Sequence, residues 1–110
     1  MPVQDLDKLV VEMDSLNMAV MVNLSGFRGK YVEWSYDNVN KNYPNRFALF
    51  LNINFENLDD AGWPDETLAM MEEAVKQGVR GLKVYKGLGL TDKDNNGNHI
   101  AIDDARLDPI

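Results

Sequence analysis

Three groups of residues in this chain could do chemistry. Asp92, Asp94, Asn96 and Gly97, closed by Asp103, have the spacing of a calcium loop, in which carboxylate and carbonyl oxygens enclose the ion. The pattern breaks at His99, which stands where such loops carry an aliphatic residue, and no helix leads in from Gly87–Leu90. Asp94-Asn95-Asn96-Gly97 is also a good turn sequence, and Ile100-Ala101-Ile102 alternates like a short hairpin arm, so a turn is the expected structure. In the second group, Gly87 and Gly89 follow an apolar run as in a dinucleotide-binding loop. The third glycine of that pattern would fall at Asp92, whose charge would meet the phosphates. The serines, Ser15, Ser25 and Ser35, have only His99 as a possible base, and a nucleophilic triad lacks support. His99 is expected to be an exposed loop side chain.

The third group is Asn23, Asn54, Lys83 and Lys86. Successive side chains of a strand point to opposite faces. Lys83 and Tyr85 therefore alternate with Leu82 and Val84, and Asn52 and Asn54 with Leu51 and Ile53. Asn23, Asn54 and Lys83 could form a polar ring around strand ends, with Lys86 one step further out, where it could meet a substrate carboxylate. The bland alternatives stand beside this. The asparagines can bond the backbone of adjacent loops, Lys83 can snorkel or pair with a carboxylate, and Lys86 can be solvated. Trp34 and Trp63 flank expected helices and are expected to pack.

Composition narrows the classes. The chain has 110 residues, 45% of them hydrophobic and 26% charged, which suits one folded domain over residues 1–110. A formal net charge of −7 and the lack of a basic stripe argue against nucleic acid. No apolar run is long enough to span a bilayer, so no membrane partner is expected. Asp5, Asp7, Lys8, Glu12 and Asp14 stand where a signal peptide would be apolar, and the cytoplasm is the slightly favoured compartment. Without cysteine, any metal must be held by His, Asp, Glu or a modified Lys.

The elements that would position these residues repeat. Leu6, Leu9, Val10, Met13 and Leu16 predict a helix, turned at Asn17 into a strand over Met18–Leu24. Val32, Tyr36, Val39 and Tyr43 form the stripe of a second helix, which stops near Pro44 and Asn45 ahead of the strand Phe47–Phe55. A third helix starts at Pro64 with Asp65 and Glu66 in its first turn, carries Leu68, Met71 and Val75 inward, and ends at Gly78 before the strand Val79–Tyr85. This is α/β architecture: parallel strands joined by right-handed helical crossovers, with long loops from Ser25 to Lys30, Glu56 to Trp63 and after Lys86. All the long loops then lie at the carboxyl ends of the strands, the face where α/β proteins place their sites. Three strands cannot close a barrel. The ending Arg106-Leu107-Asp108-Pro109-Ile110 reads as the opening turn of another helix, and the chain is expected to be a piece of something larger.

The run Gly81-Leu82-Lys83-Val84-Tyr85-Lys86-Gly87-Leu88-Gly89-Leu90, with Asp92-Lys93-Asp94 and Asp103-Asp104-Ala105-Arg106-Leu107-Asp108-Pro109 after it, resembles the amidohydrolase-related family of TIM-barrel hydrolases and decarboxylases. Val22-Asn23-Leu24-Ser25-Gly26 and Tyr43-Pro44-Asn45-Arg46-Phe47 support the match. The resemblance implies a partial TIM barrel, about strands two to four, from a metal-dependent enzyme using metal-activated water on a small-molecule substrate. The metal would be zinc or manganese in the full-length enzyme, with the ligating histidines and an aspartate contributed from elsewhere and no metal bound by this chain alone. In the binuclear branch of that superfamily a lysine on the fourth strand is carbamylated and bridges two metals, and the resemblance places Lys83 there. Lys86 and Asn54 become the substrate-binding candidates. The rival expectation is a self-contained, non-catalytic α/β interaction domain that self-associates through its open sheet edges.

Overall fold

The computed structural model describes residues 5–27 and 30–110. Positions 28 and 29, inside the expected loop from Ser25 to Lys30, lie outside them. The chain order is α1 (Leu6–Ser15), β1 (Met21–Phe27), α2 (Lys30–Ser35), a π-helical turn (Tyr36–Asn40), β2 (Phe47–Leu51), α3 (Trp63–Lys76), β3 (Gly81–Leu82) and a 3₁₀ turn (Ala105–Leu107). The three strands form one parallel sheet in the order β1-β2-β3. This is the expected parallel βα repeat, as an open sheet.

Helix ends explain where the strands begin. Asp5 caps α1 by accepting the Lys8 N–H at 3.1 Å, and at the other end Asn17 takes φ 53°. The Met18 N–H then reaches Met13 O at 2.8 Å and Asn17 N–H reaches Asp14 O at 3.1 Å, a left-handed cap that satisfies the last carbonyls. Residues 18–20 are spent on that wrap, so β1 starts at Met21 and not at Met18. Arg46 holds the corner: its Nε donates to Ala19 O at 2.9 Å, its guanidinium pairs with Asp14 at 2.6 Å, and its own carbonyl accepts the Met21 N–H at 2.9 Å. Gly78, at φ +100°, closes α3 in the same manner, with Val79 N–H on Ala74 O at 3.0 Å.

Register fixes the two faces of the sheet. Met21 pairs with Phe47 and Asn23 with Leu49, while Leu51 pairs with Leu82. Phe47 and Leu49 pack with Met13 of α1 and Val39, and Leu51 packs with Val32, Ala74 and Val79. All three helices therefore contribute to one face. On the other, Val22 and Leu24 are 52% and 44% exposed, and the Phe50 ring lies over Gly81, where an added Cβ would stand 2.6 Å from Cζ of that ring.

Two helix stripes differ from expectation. In α3 the buried row is Trp63, Thr67 and Ala74 with Met70 and Met71 beside it, while Leu68 and Val75 face outward, Val75 being 66% exposed. Trp63 sets this phase: its Nε1–H donates to Asn54 O at 2.9 Å and its ring packs with Phe55 and Leu58. In the second helix Ser35 is buried where Tyr36 was expected. Side-chain donors compete for the carbonyls here, Ser35 Oγ on Tyr31 O at 2.7 Å and Asn38 Nδ2 on Trp34 O at 2.7 Å, and the ladder widens until Lys41 N–H reaches Tyr36 O. Trp34 is 45% exposed, so the packing role expected of both tryptophans holds for Trp63 alone.

The segment after β3 folds back onto the sheet's carboxyl end. Leu88 and Ile100 are buried with Ile53, Phe55, Leu58 and Trp63, and Leu107 and Ile110 pack against them. Ile102 is exposed, because Gly89 N–H on Ile100 O and Ile100 N–H on Asp92 O anchor the segment through Ile100 instead. The hairpin lies earlier, at the antiparallel bridge between Lys93 and His99, around Gly97 at φ +79°. No helix among the described residues is long and apolar enough to cross a membrane.

Trp63 offers a direct measure of this arrangement. Trp63→Phe keeps most of the packing and loses the bond to Asn54 O, and should cost about 1–2 kcal/mol. Trp63→Ala should cost about 3–5 kcal/mol by leaving a cavity between α3 and the end of β2. Urea unfolding of the two variants reads both values. Equal costs would show that the indole N–H, and not the ring, sets the position of α3.

Candidate functional site

The carboxyl end of the sheet brings several of the expected residues near one another. The last rung between β2 and β3 among the described residues is Lys83 N–H on Leu51 O at 2.8 Å. Continuing the pairing of Leu51 with Leu82 by one step sets Asn52 beside Lys83, on the face opposite the helices. β1 also loosens here, its register with β2 shifting between Asn23 and Phe27. Across this gap Tyr85 Oη donates to Leu24 O at 3.2 Å, linking the stretch after β3 to β1 past the end of β2.

Each expected residue has a definite place. Asn54 is half-buried and already committed: its Oδ1 accepts the Glu56 N–H at 3.0 Å and its carbonyl holds Trp63. It shapes the loop after β2. Lys83 is half-buried on the open face, and Lys86 is exposed in the turn that follows. Asn23 pairs with Leu49 and so lies on the helix-covered face, which breaks the expected ring of Asn23, Asn54 and Lys83.

Asn52 takes the place in that group that Asn23 leaves. Its Oδ1 is buried, with no hydrogen-bond donor among the described residues. The alternation of Asn52 with Leu51 and Ile53 was visible in the sequence; the burial of its side-chain oxygen was not.

The acidic loop resolves into an ion-pair node. Arg106 pairs with Asp59 at 2.5 Å, Asp104 at 2.7 Å and Asp94 at 3.4 Å, joining the loop after β2, the hairpin and the C-terminal turn. Asp94, its side chain 6% exposed, also accepts the N–H groups of Asn96 and Asn98 at 3.0 and 2.9 Å. Asp59 accepts the Asn95 N–H at 2.7 Å. Of the acids in the calcium-like spacing, Asp94 is turned onto a guanidinium and backbone donors, a structural role. His99 is exposed, as expected.

The node shifts its acids. The Arg106 guanidinium, aided by the Arg106 N–H and opposed by partial burial, holds the Asp104 carboxyl down at about 2. The N–H of Asn98 holds the Asp94 carboxyl below its usual range, burial opposing it and Asn96 and Arg106 adding to it. Arg106 is held in its charged form, chiefly by Asp104.

A divalent metal needs several anionic or imidazole donors. Among the described residues no three His, Cys, Asp or Glu side chains converge to offer them, and Lys83 shares its face with Phe50, Asn52 and Gly81, none of them an anionic ligand. Comparison of the chain with family models, curated proteins and solved structures finds no match.

The depressed Asp104 value gives a signed pH dependence. A carboxyl lowered on folding contributes stability that is complete above its ordinary value of 3.8 and is lost as pH falls through about 2. Denaturant midpoints measured from pH 5 to pH 2 should fall for the native chain, and Arg106→Gln should lower the midpoint at pH 5 and flatten that fall. An unchanged slope in Arg106→Gln would show that the acids are held by backbone donors alone.

Proposed function

We propose that this chain is a βα segment of an amidohydrolase-type barrel enzyme, contributing scaffold and part of the substrate-facing mouth. The observation that supports this most is the one-sided sheet. Helices cover one face of three parallel strands in chain order, and the other face, with Val22, Leu24, Phe50, Asn52 and Lys83, is left as the interior of a closed barrel would be. The ordered motifs from Val22 to Pro109 supply the family. Zinc or manganese in the parent enzyme would then be ligated mainly by residues outside these 110, with Lys83, if carbamylated, the contribution from here. Lys86, exposed beyond β3, is the outer substrate contact; Asn54 acts through the loop that it bonds.

A second reading is favoured by one feature. β1 is an edge strand whose residues Val22 and Leu24, with Val20 just before it, are exposed apolar side chains, the form of edge that invites pairing with another chain. In that reading the chain is a non-catalytic interaction domain.

Calorimetry separates a complete from an incomplete metal site. The 110-residue chain should bind zinc or manganese with a dissociation constant weaker than about a micromolar, and tighter binding would overturn the proposal that the main ligands lie elsewhere. In the longer enzyme, if Lys83 is a carbamylated bridge, Lys83→Ala should remove a second metal and cut turnover by orders of magnitude, with partial rescue by a short carboxylic acid, whereas Lys86→Ala should spare metal content and weaken substrate affinity. Full metal occupancy and normal turnover in Lys83→Ala would leave Lys83 a structural residue. Light scattering tests the rival: a partial barrel should associate without a fixed stoichiometry, and a discrete dimer abolished by Val22→Lys would favour the interaction domain.

A further inference from the structure

We infer that the amino end of the sheet holds a binding site for an aromatic carboxylate, with the carboxylate on Arg80 and the ring against Tyr36. The site lies at the opposite end of the strands from the mouth proposed above and does not depend on that reading. Val20 stands just before β1, Phe47 and Ala48 open β2, and Arg80 stands just before β3. Together with Tyr36 and Asn40 they line an open cavity of about 380 Å³. Small-molecule sites occupy roughly 300–1,000 Å³, so the volume suits a single-ring ligand.

Gly78 keeps this space clear. It takes φ +100° to close α3, and a Cβ there would stand 3.2 Å from Asn40 Nδ2 and 3.5 Å from the Tyr36 ring. Tyr36 and Asn40, one helical turn apart, thus flank the same bare stretch of backbone. Arg80 follows two residues on, its backbone fixed by its N–H on Leu49 O at 2.9 Å. Its side chain is exposed, and the guanidinium has no ion pair or hydrogen bond among the described residues, although the chain carries 18 acids. No Asp or Glu lines the cavity. Asn38 and Asn42 spend their amide donors on Trp34 O and Asn38 O, whereas Asn40 Nδ2 donates to no described residue.

These groups select the ligand. A guanidinium with an amide donor on the same cavity takes a carboxylate, which it can bind by two parallel bonds. The remaining walls, Tyr36, Pro44, Phe47 and Val20, are aromatic or apolar. A bare inorganic anion would leave them wet, and a neutral ring would leave the guanidinium unmatched. A ring joined to a carboxylate answers both.

Ligand-detected fluorine NMR of para-fluorobenzoate and para-fluorobenzyl alcohol with the 110-residue chain tests the site, and reads binding whatever the chain's state of association. The acid should bind about tenfold more tightly than the alcohol, the worth of one charge-assisted pair. Arg80→Met should remove that preference. Asn40→Asp, which sets a carboxylate on the same cavity, should abolish binding of the acid and spare the alcohol. Lys8→Met removes an exposed cation of α1 outside the cavity and should change neither. Circular dichroism shows which variants keep the fold, and either cavity variant decides the matter alone. Failure of the native chain to bind the acid, or equal binding of acid and alcohol, would overturn the site. So would unchanged binding of the acid in a folded Arg80→Met or Asn40→Asp, or an equal loss in Lys8→Met, which would mark a general response to charge.

Discussion

Five alternating side chains, Phe47, Leu49, Leu51, Ile53 and Phe55, carry the apolar interior between them. Phe47 and Leu49 belong to the cluster under α1, Leu51 to the cluster under α2 and α3, and Ile53 and Phe55 to the cluster closed by the C-terminal segment. Because side chains alternate at period two, this row can exist only if the strand runs extended through all nine positions. Hydrogen bonding of β2 stops at Leu51, yet burial continues to Phe55. The strand is thus held first by the sheet and then by packing alone, and the second stretch is where Asn52 and Asn54 emerge on the opposite side.

That division of labour explains the polar end of the sheet. Where a ladder holds a strand, its backbone groups are paired and its side chains stand in fixed rows. Where packing holds it, backbone groups must find other donors, and Asn54 does so through Trp63 and the Glu56 N–H. Asn52 does not, at its side-chain oxygen. One asparagine therefore serves the loop and the other is enclosed at its side-chain oxygen, although the two look alike in sequence.

The repeat of helix and strand, the parallel order and the left-handed helix ends at Asn17 and Gly78 were legible, since each rests on local spacing or on a single residue's conformational freedom. Strand limits were not, because caps and Arg46 consume residues that hydropathy assigns to the strand. The phase of α3 was missed for a similar reason: Leu68, Met71 and Val75 form a good stripe on their own, and only the long-range bond from Trp63 to Asn54 turns Ala74 inward in place of Val75. The acidic loop shows the same limit. The expected turn at Asp94-Asn95-Asn96-Gly97 formed, but the pairing of Asp94 with Arg106, which lies outside the spacing of Asp92 to Asp103, could not be read from it.

Arg106 also bears on how the site is held. Its guanidinium ties together three segments that share little other secondary structure, the loop at Asp59, the hairpin at Asp94 and the turn at Asp104. Exposed ion pairs contribute little singly, but a planar guanidinium reaching several acceptors fixes direction as well as distance. Ile100 and Leu88 anchor the same segment from below. The loop layer over the end of β2 is thus pinned from both sides.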